Sequence, residues 1–421
     1  MFKTILDLLK KRSVKNGIWL YALQFFNMIV PLLTIPYITR ILGSSGYGTF
    51  AKALNIVGYL QTVVEFGFGM SATRKVALNG KNNIDKTFTA VLAGRFLLLI
   101  SCLLFSIVYF CLNIRNLSLC FSYLILLICL IGYCVQMNWI FQGMQEMKYI
   151  SIVNIIGRVI STSLIFLLVK NTSDVFLYSF LYSISPLLSG LIGLIIASKK
   201  YGLKICKISF GDVIDELKDG FYVFTTNLSS KVFGAIGVTF LGFFASDSVV
   251  GIFSAIQKIP NIMILLWAPI SQVIYPISSK YFKNSFKEGE IFVKKIRGKV
   301  MIIFGLFAIL VGLSSKFLVG FLFGQEYADY YYWIIPLLLW MIIGIDNNFI
   351  GIQTMLGSGH DKEYGMVFQI GVIFTIIINF LFTYFCGGLG AAFAPLISEL
   401  FLNILLRYKY KKIKNECITG K

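Results

Sequence analysis

Histidine occurs once in this 421-residue sequence, acidic residues number only 19, and none of the eight cysteines forms a CxxC pair. Each scarcity removes a class of chemistry. The lone His360 lies in the polar stretch GSGHDKE, so a Ser-His-Asp triad within an apolar region is not expected. There is no GxxxxGK[ST] loop to cradle nucleotide phosphates and no HExxH zinc helix. Closely spaced aspartates of the kind many nucleotide-sugar transferases use to hold a metal are absent as well. The cysteines (102, 111, 120, 129, 134, 206, 386 and 417) fall mostly inside apolar blocks, where they act as small hydrophobes; neither a disulfide framework nor a metal site is implied. No signal-peptide cleavage pattern follows the first residues, so the chain is expected to stay whole. What remains is a protein without recognisable catalytic or ATP-binding machinery, and no cofactor is expected.

Apolar residues make up 57% of the sequence and charged residues 14%, a composition that suits a bilayer better than water. They come in blocks of roughly 18 to 25, the length a helix needs to cross about 30 Å of hydrocarbon. A barrel strand would alternate apolar and polar over about ten residues, whereas 96–112 is apolar almost throughout. The fold class is therefore all-α integral membrane, with about twelve spans. They are expected near 16–38, 48–70, 87–111, 119–141, 150–169 and 176–197, then 221–244, 250–276, 300–319, 331–355, 364–386 and 389–406. The corresponding organisation is an amphipathic N-terminal segment (1–15), an N-lobe (16–197), a linker (198–220), a C-lobe (221–406) and a basic tail (407–421). In the N-terminal segment Phe2, Ile5, Leu6 and Leu9 share a helical face opposite Lys3, Asp7, Lys10 and Lys11.

The net charge of +19 sits between the apolar blocks, which argues for membrane topology rather than nucleic acid. With both termini cytoplasmic, inner segments hold 29 of the 38 basic residues and outer loops hold four. The halves also share a pattern at an offset of 203 residues: Lys15, Gly17, Gly48 and Phe50 recur as Lys218, Gly220, Gly251 and Phe253. Two six-helix lobes related by a pseudo-two-fold axis along the membrane normal, around a central cavity, follow from that spacing.

Five basic residues remain inside the expected spans: Lys52, Arg95, Arg158, Lys231 and Lys258. A charge at mid-membrane costs several kcal/mol and ordinarily faces a bundle interior or a wet cavity, unless it snorkels to the headgroups from near a helix end. Together the five span most of the depth. Against them stand Glu65, Asp346 and Glu399, which leaves an excess of two positive charges suited to an anionic passenger. The same three acids are the candidates for ion coupling, or they neutralise bases, as Asp346 would by pairing with Arg158. Amides in the spans, among them Gln24, Asn27 and Asn227, suit sugar recognition or interhelical hydrogen bonds.

Residues 40–77, RILGSSGYGTFAKALNIVGYLQTVVEFGFGMSATRKVA, resemble the signature of the polysaccharide repeat-unit flippases, the O-antigen or Wzx-type transporters. Its features are LG followed by GxGxF, then EFGFG and a basic segment. Further likeness lies in WIFQGMQEMKY (139–149) and in 240–276. The resemblance implies membership of the multidrug, oligosaccharidyl-lipid and polysaccharide exporter superfamily, and a bacterial inner-membrane location. It also implies a passenger made of oligosaccharide linked through diphosphate to a polyprenol, normally undecaprenol. Implied partners are membrane lipids, a polysaccharide polymerase and a chain-length regulator, with coupling to a proton or sodium gradient. The substrate-binding candidates are Arg95, Arg158, Lys231, Lys258, Lys52, Asn227 and Gln24, chosen from depth and charge; the ion-coupling candidates are Glu65, Asp346 and Glu399. Three alternatives stay open: an exporter of another lipid-linked polymer, a drug or cation exporter of the same fold and, more distantly, a multispanning glycosyltransferase or polymerase. Outer loops no longer than about fifteen residues leave little room for a catalytic domain.

Overall fold

A computed structural model describes residues 12–80, 84–112, 114 and 116–419; the amphipathic segment read at 1–15 lies largely outside them. The described residues form helices and turns, with no strand. Among the described residues ten helical segments are long and apolar enough to cross a membrane. Their exposed surfaces carry Leu104, Phe105, Ile107, Ile302, Ile303 and Leu310, a pattern that is costly in water and ordinary in lipid. The chain divides into two compact units, residues 1–231 and 232–421.

The first unit opens with α1 (Arg12–Glu65), 54 residues long and broken inside at Gly43 (φ 68, ψ 179). At 1.5 Å per residue an unbroken helix of that length would run about 80 Å, far more than one crossing needs. The expected outer loop at 39–47 is therefore a kink rather than a loop, and it turns where glycine alone tolerates the left-handed backbone without strain. A second break at Phe66 (φ 47) and Gly67 separates α2 (Phe68–Asn79), which the sequence reading had partly joined to the second span. Gly67 is needed there for space: a Cβ would come within 2.0 Å of the Gly220 carbonyl oxygen. Ion pairs from Lys75 to Glu216 (2.8 Å) and Asp219 (2.7 Å) tie α2 to the start of α9 (Phe210–Phe244).

Between them lie α3 (Ile84–Leu112), the broken run α4 (Leu117–Leu126), α5 (Ile128–Cys134) and α6 (Asn138–Gly143), then α7 (Met147–Leu168) and α8 (Val175–Tyr201). Small residues let these backbones approach, because lipid offers no hydrophobic force to drive helices together and packing must do it. The Ser161 hydroxyl on α7 donates to the Leu181 carbonyl on α8 at 2.7 Å. Phe68, Val76, Phe88, Trp139 and Phe141 close a fully buried cluster at one end of the unit. In the turn between α7 and α8 the Asp174 carboxylate accepts the backbone N–H groups of Lys170 and Asn171, both at 2.8 Å, and these bonds hold its pKa below the usual carboxylate range.

The second unit contains the end of α9, then α10 (Asp247–Ile256), α11 (Lys258–Asn284), α12 (Phe286–Leu313) and α13 (Ser315–Phe323). After the short α14 (Gln325–Ala328) come α15 (Ile334–Asn348), a π turn (Phe349–Leu356) and α16 (Asp361–Thr419). Helix α16 is broken at Gly387 (φ 55, ψ −132), where the sequence reading placed the gap between its last two spans. The clearest difference from expectation is α12, which begins 14 residues before the expected 300. Ser285 caps it by accepting the Glu288 N–H at 3.4 Å, so charges read as a loop belong to a helix. The unit boundary also falls within α9 and not at 220–221, which assigns Lys231 to the first unit.

Candidate functional site

In the first unit the polar side chains gather on facing sides of α1, α3, α7 and α9. Arg158 on α7 donates from Nη1 to Oδ1 of Asn27 on α1 at 2.7 Å, and its other donors have no hydrogen-bond partner among the described residues. One turn earlier on the same face, Asn154 accepts from Gln136 at 3.3 Å. Arg95 is buried and donates from Nη1 to the carbonyl oxygens of Tyr133 and Cys134 (both 3.3 Å) and Gln136 (2.6 Å). Those carbonyls end α5, so Arg95 caps the negative pole of a helix that breaks inside the unit. Lys231 lies half-buried with its ammonium against Gly58, where a Cβ would stand 2.5 Å from Nζ, and 6.0 Å from the centre of the Tyr59 ring. It makes no ion pair or hydrogen bond among the described residues. Glu65, held by Gln61 at 3.1 Å, is the acid acted on by the charges of both Arg95 and Lys231.

Two positive groups therefore act on one acid, and Arg158 adds a third on the same unit. Lys52 is buried in α1, Gln24 is half-buried, and Asn227 is exposed on α9. Among the described residues no hydrogen bond joins Gln24 or Asn227 to this group.

In the second unit the expected pairing of Asp346 with Arg158 is replaced by another. Asp346 on α15 is bound by Arg297 of α12 and by Arg407 of α16, the latter at 2.7 Å, and it accepts from Asn403 at 3.0 Å. The reason is the early start of α12, which carries Arg297 to the level of Asp346. Its neighbour Asn347 donates to the Glu399 carboxylate and, at 2.9 Å, to the Glu399 carbonyl, while Asn403 donates to Asn347 at 2.7 Å. Asp346 and Glu399 thus belong to one buried network with two guanidinium groups at its edge. Gln353, in the π turn, donates to the Ser271 hydroxyl at 2.9 Å and to its carbonyl at 3.0 Å, which fixes α11 against a stretch of irregular backbone. Lys258 sits half-buried at the first position of α11, after the break at Gln257.

Arg297, Arg407 and Gln353 did not emerge from the sequence. A signal existed for Arg297: Glu290, Lys294 and Arg297 are spaced four and three apart, one face of a helix rather than the scatter of a loop.

The chain matches the family described as "Polysaccharide biosynthesis protein" over residues 13–282. It is similar to a protein of Escherichia coli K12 named "Putative O-antigen transporter", 29% identical over 93% of this chain and 95% of that one. A protein of the same name from Shigella dysenteriae is 26% identical over 93% and 98%. Among solved structures the fold resembles an inward closed lipid II flippase MurJ, with a TM-score of 0.74 and 16% identity, covering 94% of this chain and 87% of that one. It also resembles an inward-facing multidrug resistance MATE transporter, with a TM-score of 0.70 and 13% identity, covering 92% and 99%. With the family matched across well over half its length, the chain belongs to the polysaccharide biosynthesis protein family.

Proposed function

We propose that the chain is a flippase that moves undecaprenyl-diphosphate-linked oligosaccharide repeat units, of O-antigen or capsule type, from the cytoplasmic to the outer leaflet of the bacterial inner membrane. The names of its relatives support the cargo class, and the likeness to superfamily transporters supports the fold in which it would move. The observation that carries the mechanism is that two intramembrane cations of the first unit, Lys231 and Arg158, keep donors without a hydrogen-bond partner among the described residues. A guanidinium offers paired donors to phosphate oxygens and an ammonium adds a point charge, so a diphosphate can neutralise both. Arg95 contributes charge from behind while its donors hold the end of α5. The kinked helices α1 and α16 would each cross twice, for twelve crossings with both termini cytoplasmic, and the two units would act as lobes opening alternately to either side. Glu65 is the acid best placed for ion coupling, because both Arg95 and Lys231 act on it electrostatically without an ion pair among the described residues, whereas Asp346 is already engaged by two guanidinium groups.

Depletion of the protein in its host tests this directly. Surface polysaccharide is expected to disappear while undecaprenyl-diphosphate-linked units accumulate in the inner leaflet. Undiminished surface polymer would refute the reading. Collapse of proton and sodium gradients is expected to slow export, and export indifferent to both would remove the coupling.

A further inference from the structure

On the second unit a cavity edged by charged side chains and an apolar groove lie along α12, where it packs beside α15 and the π turn. The cavity, about 110 Å³, is walled by Glu290, Lys294 and Arg297 of α12 and by Arg407 and Tyr410 of α16. The groove, about 500 Å³, is bounded by Gly305, Ala308 and Gly312 of α12 and by Ile335, Leu338 and Ile342 of α15. From Arg297 to Gly305 the helix rises about 12 Å, and the groove continues along the same helix.

The cavity is basic even after its internal pairs are counted. Glu290 accepts from Lys294 at 3.0 Å, from Lys414 at 2.6 Å and from Tyr410; Asp346 is bound by Arg297 and Arg407. Four cations against two anions leave two positive charges. Arg297 spends only Nε on Asp346, and Arg407 spends Nε on Asn403 and Nη2 on Asp346. The remaining guanidinium nitrogens have no partner among the described residues, and they offer the forked donors that phosphate oxygens accept. Next to them, the glycines keep the groove open: a Cβ on Gly305 would meet nothing within 4 Å, and one on Gly312 only Leu338 at 3.9 Å.

We propose that this seam binds an anionic phospholipid, its phosphate in the basic cavity and one acyl chain in the groove. Charge complementarity selects the headgroup, and an apolar groove about 12 Å farther along the same helix selects an amphiphile over free phosphate. A cavity of about 110 Å³ accepts one phosphate group and excludes a diphosphate bearing an oligosaccharide, which separates this lipid from the proposed cargo. The basic end of α12 is the cytoplasmic end on the charge distribution of the sequence, so the lipid belongs to the inner leaflet. The inference rests on the membrane-spanning helices alone and stands whatever the cargo is.

Full-length protein in detergent micelles can be titrated with phosphatidylglycerol, phosphatidylcholine, undecaprenyl phosphate and inorganic phosphate, and bound species read by native mass spectrometry. Phosphatidylglycerol is expected to bind at least about ten-fold more tightly than phosphatidylcholine and to resist displacement by inorganic phosphate. Lys294→Gln, at an exposed position, is expected to weaken it several-fold. Gly305→Leu and Gly312→Leu, whose Cβ atoms meet no close neighbour and whose side chains would occupy the groove, are expected to weaken it about ten-fold. Equal binding of the two phospholipids would overturn the proposal. So would displacement by inorganic phosphate with no effect of filling the groove, which marks a free-phosphate site, or tighter binding of undecaprenyl phosphate, which marks a cargo site.

Discussion

Lys231→Ala is expected to abolish export of surface polysaccharide while leaving the protein folded and inserted. Among the described residues the ammonium lies against Gly58 and over the Tyr59 ring with no hydrogen bond or ion pair of its own, so its removal costs the helices only that ring contact. What it removes is a cation within the membrane that a diphosphate would meet. A hydrogen bond to a charged group contributes about 1.5–3 kcal/mol, or roughly ten- to a hundred-fold in affinity, and more where water is excluded. Arg158→Ala is expected to act in the same direction, with some loss of stability because Asn27 loses its partner. Arg158→Lys separates two modes of recognition. Nearly full activity means that Coulomb attraction suffices, and a loss close to that of Ala means that forked donors are required. Surface polymer and accumulated lipid-linked units, measured at matched protein levels, provide the readout. Normal export from both Ala variants would remove these residues from the mechanism.

Asp346→Ala is expected to act chiefly on folding. The Asp346 side chain is only 8% exposed, and its loss leaves Arg297 and Arg407 beside Asn347 and Asn403 without the carboxylate that binds them both. Breaking a buried pair costs about 3–5 kcal/mol, and the lower end applies because the two arginines are 34% and 51% exposed and find some solvent. Most proteins hold a total of about 5–15 kcal/mol, so accumulation in the membrane and the thermal midpoint in detergent are both expected to fall sharply. The triple change Asp346→Asn, Arg297→Gln and Arg407→Gln removes the stranded charges and is expected to recover much of that loss. A carboxylate that instead carried a coupling ion would behave differently: Asp346→Asn would fold normally and export would lose its response to ion gradients.

The positions of the helices were legible in the sequence because a membrane span needs a long apolar run and little else can supply one. The joints were less so. Residues 39–47 look like a loop by composition, with Gly43, Ser44, Ser45, Gly46 and Gly48 close together, yet only Gly43 leaves the helical conformation. The early start of α12 was hidden for a related reason. Charged residues before position 300 signal the end of a span in one dimension, whereas in three dimensions Glu290, Lys294 and Arg297 form one helical face directed at α15 and α16. The same effect hides the partners of Asp346, because the two arginines that reach it belong by composition to cytoplasmic segments. Depth and charge did identify Arg95, Arg158 and Lys231 as unusual. They could not distinguish a cation that caps the carbonyls of residues 133–136 from one that keeps its donors available, because that difference is made by the break between α5 and α6.

Transport by the purified protein addresses the central claim most directly. Wild-type protein and the Arg158→Gln, Lys231→Gln double variant, reconstituted into liposomes at equal density, can be supplied with a fluorescent undecaprenyl-diphosphate oligosaccharide and quenched from outside. The wild type is expected to move the lipid between leaflets faster than protein-free vesicles do, and the double variant to fall to the protein-free rate. Translocation by the double variant at the wild-type rate would contradict the account.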